Sequence, residues 1–207
     1  MHRRPALPKL LTCSLVLVAG SVAACKGTGP SPADTAASQA ATPHSAPPVA
    51  VAVSDPALSN SITNLAYSGN TYFAGFPTEA GLRELKSRGV TRIISLKTNE
   101  EVAKAKGFDE AAVAKELGIE LIVIPVSAKS FRPEDVTRFR DAFEASSAPV
   151  LVHCGSSNTV GGVWAAYLSR YRGLSSGDAL DAGRAAGLKS PDMTEATERV
   201  LSTPVSN

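Results

Sequence analysis

From about residue 60 onward, short apolar runs alternate with segments whose apolar residues recur every three or four positions. The first kind reads as buried strands and the second as amphipathic helices. Leu65 to Gly75 alternates about a Ser-Gly-Asn turn and predicts one or two short strands. Gly75-Phe76-Pro77 forms a turn, and Thr78 is placed to cap a helix that buries Leu82 and Leu85 and stops at Gly89. Val90 to Leu96 is the next strand, with Lys97-Thr98-Asn99-Glu100 at its carboxyl end. Asp109 to Leu117 predicts a helix stopped by Gly118, and Ile119 to Val126 another apolar strand. A loop, 127–132, leads to Pro133, welcome at a first helical position, with Val136, Phe139 and Phe143 inward. Pro149 to Val152 is a short β-branched run. It ends in His153-Cys154 and the small-residue stretch Gly155 to Thr159. Val160, Val163, Trp164, Tyr167, Leu168 and Tyr171 then share one helix face turned to the core. Ser175-x-x-Asp178 is a capping-box signature for a helix over 176–186, and Ser190-Pro191 opens a last helix to about Leu201. Strands alternating with helices imply an α/β fold: a mostly parallel central sheet flanked by helices, in three layers.

The amino-terminal quarter follows another pattern. Arg3, Arg4 and Lys9 precede an apolar segment, Leu10 to Ala24, which reads as a secretory signal too short to span a membrane as a mature helix. It ends in Val22-Ala23-Ala24-Cys25, which resembles a bacterial lipoprotein cleavage box. That resemblance implies a lipid on Cys25 as the first mature residue. It also implies an exported, membrane-anchored protein on the periplasmic side, with Lys26 favouring an outer membrane. Ordinary cleavage after Ala24, leaving a free thiol, is the alternative. The following residues are rich in Ala, Pro, Ser and Thr and cannot bury a core, so they read as a tether. The expected plan is a signal over 1–24, a lipidated tether over 25–58 and one domain over 59–204. Of three cysteines, Cys13 leaves with the signal and Cys25 carries lipid. Cys154 is then alone, and no intrachain disulfide forms in the mature protein. A net charge of +2 offers no strong basic field, so nucleic acid is not an expected partner. No metal-ligand spacing or nucleotide loop is present, and neither metal nor cofactor is expected.

The chemistry gathers at Cys154. A cysteine at the carboxyl end of a strand, followed by small residues and a helix, sits where successive amides and a helix dipole favour an oxyanion. The same field favours thiolate over thiol. Gly155, Ser156, Ser157, Asn158, Thr159 and Val160 are the expected oxyanion loop. Lys97 and Ser127 project from neighbouring strand ends, where ligands of open α/β sheets collect. A small buried hydrophobe is the alternative role for this cysteine.

Four segments resemble the cysteine-dependent protein phosphatase superfamily. They are Y-F-A-G-F-P-T, V-T-R-I-I-S-L-K, V-L-V-H-C-G-S-S-N and A-L-D-A-G-R-A-A-G-L-K-S-P. The nearest branch is the bacterial dual-specificity-like one, with the phosphatase-like domain of β-lactamase-hydrolase-like proteins. The resemblance implies a cysteine phosphatase-like fold and hydrolysis of phosphomonoesters, with Cys154 as nucleophile and His153 supporting its thiolate. Two parts depart from the pattern. The family loop places an arginine five or six residues past the cysteine, where this chain has Thr159 and Val160. The family's aspartate follows an I-P-V run, where this chain has Ser127, leaving Asp135 as the nearest general-acid candidate. Lys97, standing where the family has arginine, and Lys129 are the candidates for positive charge at the rim. Losing a preorganised donor of that kind costs about 10²–10³ in rate. Three functions stay open: a slow cysteine phosphatase, a pseudophosphatase that holds phosphate or a phosphorylated or acidic partner without turnover, and rhodanese-like sulfur transfer.

Overall fold

The computed structural model describes residues 50–52, 54–104 and 107–204, all within a compact unit spanning Ala41–Asn207. The signal segment, Cys25 and the tether up to residue 49 lie outside the described residues. Ordered structure begins before the expected start at Ser59. Strand β1, Val51–Ala52, pairs antiparallel with β2, Ala66–Ser68. Asp55 caps a one-turn helix, α1, Pro56–Ser59, whose Leu58 is fully buried. The boundary at 58 is therefore corrected: two strand residues and one buried leucine are too short a pattern to separate from an Ala/Pro/Ser run.

A tight turn at Gly69-Asn70, with Gly69 at φ 58, joins β2 to β3, Thr71–Ala74. Helix α2, Glu79–Ser87, is capped by the Thr78 hydroxyl, which accepts from the Gly81 amide at 3.1 Å. It leads into β4, Arg92–Ser95. A short helix the apolar pattern did not announce, α3, covers Asn99–Lys104, followed by α4, Glu110–Glu116, and β5, Glu120–Val123. Next come α5, Pro133–Glu144, β6, Val150–His153, α6, Asn158–Arg172, α7, Ser176–Ala185, and α8, Pro191–Ser202.

The six-stranded sheet runs β1-β2-β3-β6-β4-β5, and β6 lies at its centre, parallel to both β3 and β4. β5 adds in parallel beyond β4, so the mostly parallel sheet is as expected, with an antiparallel edge made by β1 and β2. Side chains alternate between the faces. Val150, Val152 and Cys154 join a cluster with α5 to α8, whereas Leu151 joins Leu82, Leu85, Ile93 and Val113 beneath α2 and α4. Trp164 and Tyr167 are buried in an aromatic stack with Phe73, Phe139 and Phe143, as the helical spacing predicts. Burying the apolar part of each such ring contributes roughly 1.5–3 kcal/mol.

Helix α6 meets its neighbours through glycine. A Cβ on Gly161 would stand 2.3 Å from the Leu188 amide nitrogen and 2.4 Å from the Gly183 carbonyl oxygen. A Cβ on Gly162 would meet Met193 Cε at 2.5 Å. The absent side chains let the backbone of α7 and of the turn after it, and the Met193 and Thr197 side chains of α8, press against the helix that follows the cysteine.

Candidate functional site

β6 ends at His153, and α6 begins at Asn158, so the connecting loop is only Cys154–Ser157. This is shorter than the expected loop through Val160. Thr159 and Val160 belong to the first helical turn, and the Val160 side chain is fully buried in the core rather than lining a cup. The backbone amides of Gly155, Asn158, Thr159 and Val160 form none of the described backbone hydrogen bonds, the first into the helix being Gly161 to the Ser157 carbonyl at 3.0 Å. Free amides at a helix start are suited to an anion. Gly155 and Ser156 are exposed, while Cys154 is only 1% exposed and packs with the core beneath them.

The loop is held from two sides. On one, the Cys154 amide donates to the Ala74 carbonyl at 3.3 Å, Ser156 bridges to Gly75, and Asn64 Nδ2 donates to the Ser156 carbonyl at 3.0 Å. On the other, Ser157 adopts the left-handed conformation, φ 66, and its hydroxyl donates to the Ala186 carbonyl at 2.8 Å. Asn158 Oδ1 accepts from the Lys189 and Ser190 amides, both at 2.9 Å, and its Nδ2 donates to Ser190 Oγ at 2.8 Å. The two sequence segments H-C-G-S-S-N and A-A-G-L-K-S-P are thus one assembly.

His153 is fully buried, and alternation turns it away from Cys154 toward α4. Its Nε2 lies 2.7 Å from Glu110 Oε1, and Lys97 Nζ lies 2.8 Å from Glu110 Oε2. Among the described residues neither imidazole nitrogen has an aligned hydrogen bond, so the histidine meets Glu110 by proximity alone. Burial alone would raise the Glu110 carboxyl, but His153 and then Lys97 outweigh it and hold it down to about 2. Lys97 also stands 4.4 Å from the Phe76 ring centroid. The expected rim charge at Lys97 is therefore corrected. It keeps the facing of Ile93 and Ser95, which points it under the sheet, and it is only 3% exposed. Lys97 and Glu110 floor a cleft of about 310 Å³ that Phe76, Phe108 and Val123 wall.

The other two candidates are also reassigned. Asp135 is buried and caps the start of α5 from within its first turn: its Oδ2 accepts from the Arg132 amide at 3.0 Å. A carboxylate committed to a helix end is not placed as a proton donor. Lys129 is exposed, in a surface cleft with Asp192, Glu195 and Arg199 of α8. Arg170 Nη1 donates to the Val200 and Thr203 carbonyls at 2.9 and 2.7 Å, closing the end of α8.

One carboxylate at the loop was not singled out from the sequence. Glu101 lies against Gly155: a Cβ there would stand 2.8 Å from Glu101 Oε1. It is fixed by Thr98, whose amide donates to Oε2 at 2.8 Å and whose hydroxyl accepts from the Glu101 amide at 3.2 Å. The Thr98-x-x-Glu101 spacing is itself a capping-box signature and was the legible signal. Among the described residues no group of three His, Cys, Asp or Glu could hold a metal, and no helix is long and apolar enough to cross a membrane.

Residues 78–170 match the family described as the phosphatase-like domain of β-lactamase hydrolase-like protein. No curated protein sequence matches the chain. Among solved structures, P. aeruginosa TpbA in complex with pTyr is 20% identical with a TM-score of 0.58, covering 78% of this chain and 91% of that one. A DUF442 protein from Shewanella putrefaciens CN-32 is 20% identical with a TM-score of 0.55, covering 72% and 95%. Kinase associated phosphatase is 15% identical with a TM-score of 0.56, covering 76% and 98%.

Proposed function

We infer a phosphatase-like oxyanion-binding module of the cysteine-dependent phosphatase superfamily, a reading supported by the match of residues 78–170 to the phosphatase-like domain of β-lactamase hydrolase-like protein and by the shared fold of the solved phosphatases. Its loop holds a phosphoryl or related group and turns it over poorly or not at all. The observation that carries this reading is the loop itself. It keeps the cysteine and four unbonded amides, at Gly155, Asn158, Thr159 and Val160, yet no arginine or lysine lies between Cys154 and Arg170. Bidentate guanidinium binding of the equatorial oxygens is not replaced by a hydroxyl. Two of the remaining candidates for clamp and acid are engaged elsewhere: Lys97 with Glu110, Asp135 with the Arg132 amide.

Slow hydrolysis through Cys154 is the second reading. The retained His153-Cys154 pair favours it. The test is one pair of measurements on wild type and Cys154→Ser. Phosphate-dependent NMR shifts at Gly155 to Val160 with no measurable aryl-phosphate turnover support binding. Turnover abolished by Cys154→Ser supports hydrolysis. An absence of both sinks the two readings together.

Export and anchoring complete the proposal. The basic residues before Leu10 to Ala24 and the box at Val22 to Cys25 support a lipid-anchored protein on the outer side of a bacterial membrane. Metabolic labelling with a fatty-acid probe, lost in Cys25→Ala, is the check. Unchanged labelling in that variant would refute it.

A further inference from the structure

The charges around the Cys154 loop do not balance as a phosphomonoester site requires. A phosphate monoester above neutral pH carries close to two negative charges, since its second ionisation falls near pH 6. The loop offers free amides and the positive end of α6, equivalent to roughly half a charge. Against that stands the full negative charge of Glu101, packed on Gly155 and fixed by its reciprocal bonds to Thr98.

The nearby cations do not restore the balance. Lys97 is buried and paired with Glu110 beneath the opposite face of the sheet. Arg170 is bound to carbonyls at the end of α8. Lys189 approaches Asn158 through its backbone amide, and its side chain is exposed to water, where screening is strong. Asp135 and Lys129 sit in other settings, on α5 and beside α8. Repulsion from Glu101 rises in proportion to the charge of whatever enters, while the gain from amide dipoles is bounded by the few N–H groups on offer.

We propose that the Cys154 loop selects singly charged tetrahedral oxyanions, such as phosphodiesters and sulfate monoesters, over the doubly charged phosphate monoester. Glu101 sets that choice. This rests on the oxyanion-binding reading above and names the ligand class of the same site. Glu101 acts as a specificity residue, by charge rather than by contact with a reacting atom.

The experiment titrates phenyl sulfate and phenyl phosphate, alike in shape and different in charge at pH 8, into the full mature chain. Amide resonances of Gly155 to Thr159 are the readout, in wild type and in Glu101→Gln. Glutamine keeps an oxygen to accept from Thr98, so the turn at α3 survives. Wild type is expected to bind phenyl sulfate at least about tenfold more tightly, a difference of about 1.4 kcal/mol. Glu101→Gln is expected to close that gap by tightening phenyl phosphate. Equal or tighter binding of phenyl phosphate by wild type overturns the selectivity. An unchanged ratio in Glu101→Gln overturns the role of Glu101. If neither ester moves the loop resonances of either protein, the oxyanion reading itself fails and this inference falls with it.

Discussion

Glu110 is the place where a single titration should govern stability. Its carboxyl is held down to about 2 from an ordinary value of 4.5. A group whose value is lowered by folding adds stability that is fully present above its unfolded value and is lost as pH falls through its folded one. A shift of that size corresponds to about 3 kcal/mol. Most of it should disappear between about pH 5 and pH 2, a large part of the roughly 5–15 kcal/mol that holds a domain together. The perturbation is Glu110→Gln, which keeps the shape and removes the charge. At pH 5 the variant should be less stable by about 3–5 kcal/mol, the usual cost of breaking a buried pair, because the buried Lys97 loses its counter-charge. As pH falls, wild type should lose its advantage and the two stabilities should converge. Urea unfolding at half-unit steps from pH 5 to pH 2.5 measures both curves and begins below ordinary imidazole titration. Parallel curves, with a constant gap, would refute the reasoning. They would mean that Glu110 is not ionised against its two neighbours.

Three further outcomes are expected. Thr159→Arg places a guanidinium in the first turn of α6, five residues past the cysteine, and should raise aryl phosphatase activity by about tenfold or more; no gain in a folded variant would mean that the amides do not face a bound phosphoryl group. Gly161→Ala drives a methyl to within 2.4 Å of two backbone atoms. It should lower the unfolding midpoint by several degrees, with a cost of about 1–3 kcal/mol, and an unchanged midpoint would contradict the close crossing. Asn158→Ala removes three hydrogen bonds to the exposed Lys189 and part-buried Ser190, at a cost of about 1 kcal/mol. Hydrogen exchange should accelerate at the Lys189 and Ser190 amides ahead of the rest, and uniform acceleration would count against that local tie.

The elements around the site were legible where a local rule sufficed. Thr78, Ser175 and Ser190 announce their helices because a cap acts within three residues. The run from Val150 to Val152 announces the central strand because burial on both faces leaves no room for a polar residue. The site itself was harder. Lys97 reads as a rim lysine until strand parity is carried two residues past the end of β4, which turns it under the sheet beside Glu110. The contact of His153 with Glu110 spans 43 positions and belongs to no spacing rule. Glu101 reaches Gly155 from α3, and six residues give no readable amphipathic period. Val51 and Ala52 were lost for the opposite reason: their pairing is with β2, and nothing in their own composition distinguishes them from the neighbouring Ala and Pro.

The ties from Ser157 to Ala186 and from Asn158 to Lys189 and Ser190 have a consequence for how this molecule can be divided. The stretch that matches the phosphatase-like domain stops at residue 170, yet one of the two sets of hydrogen bonds that hold the Cys154 loop comes from beyond that point. A fragment ended there would keep every residue of the recognisable motif and lose the mould that casts it. Shortening the carboxyl terminus should therefore loosen the loop although every one of its own residues is kept.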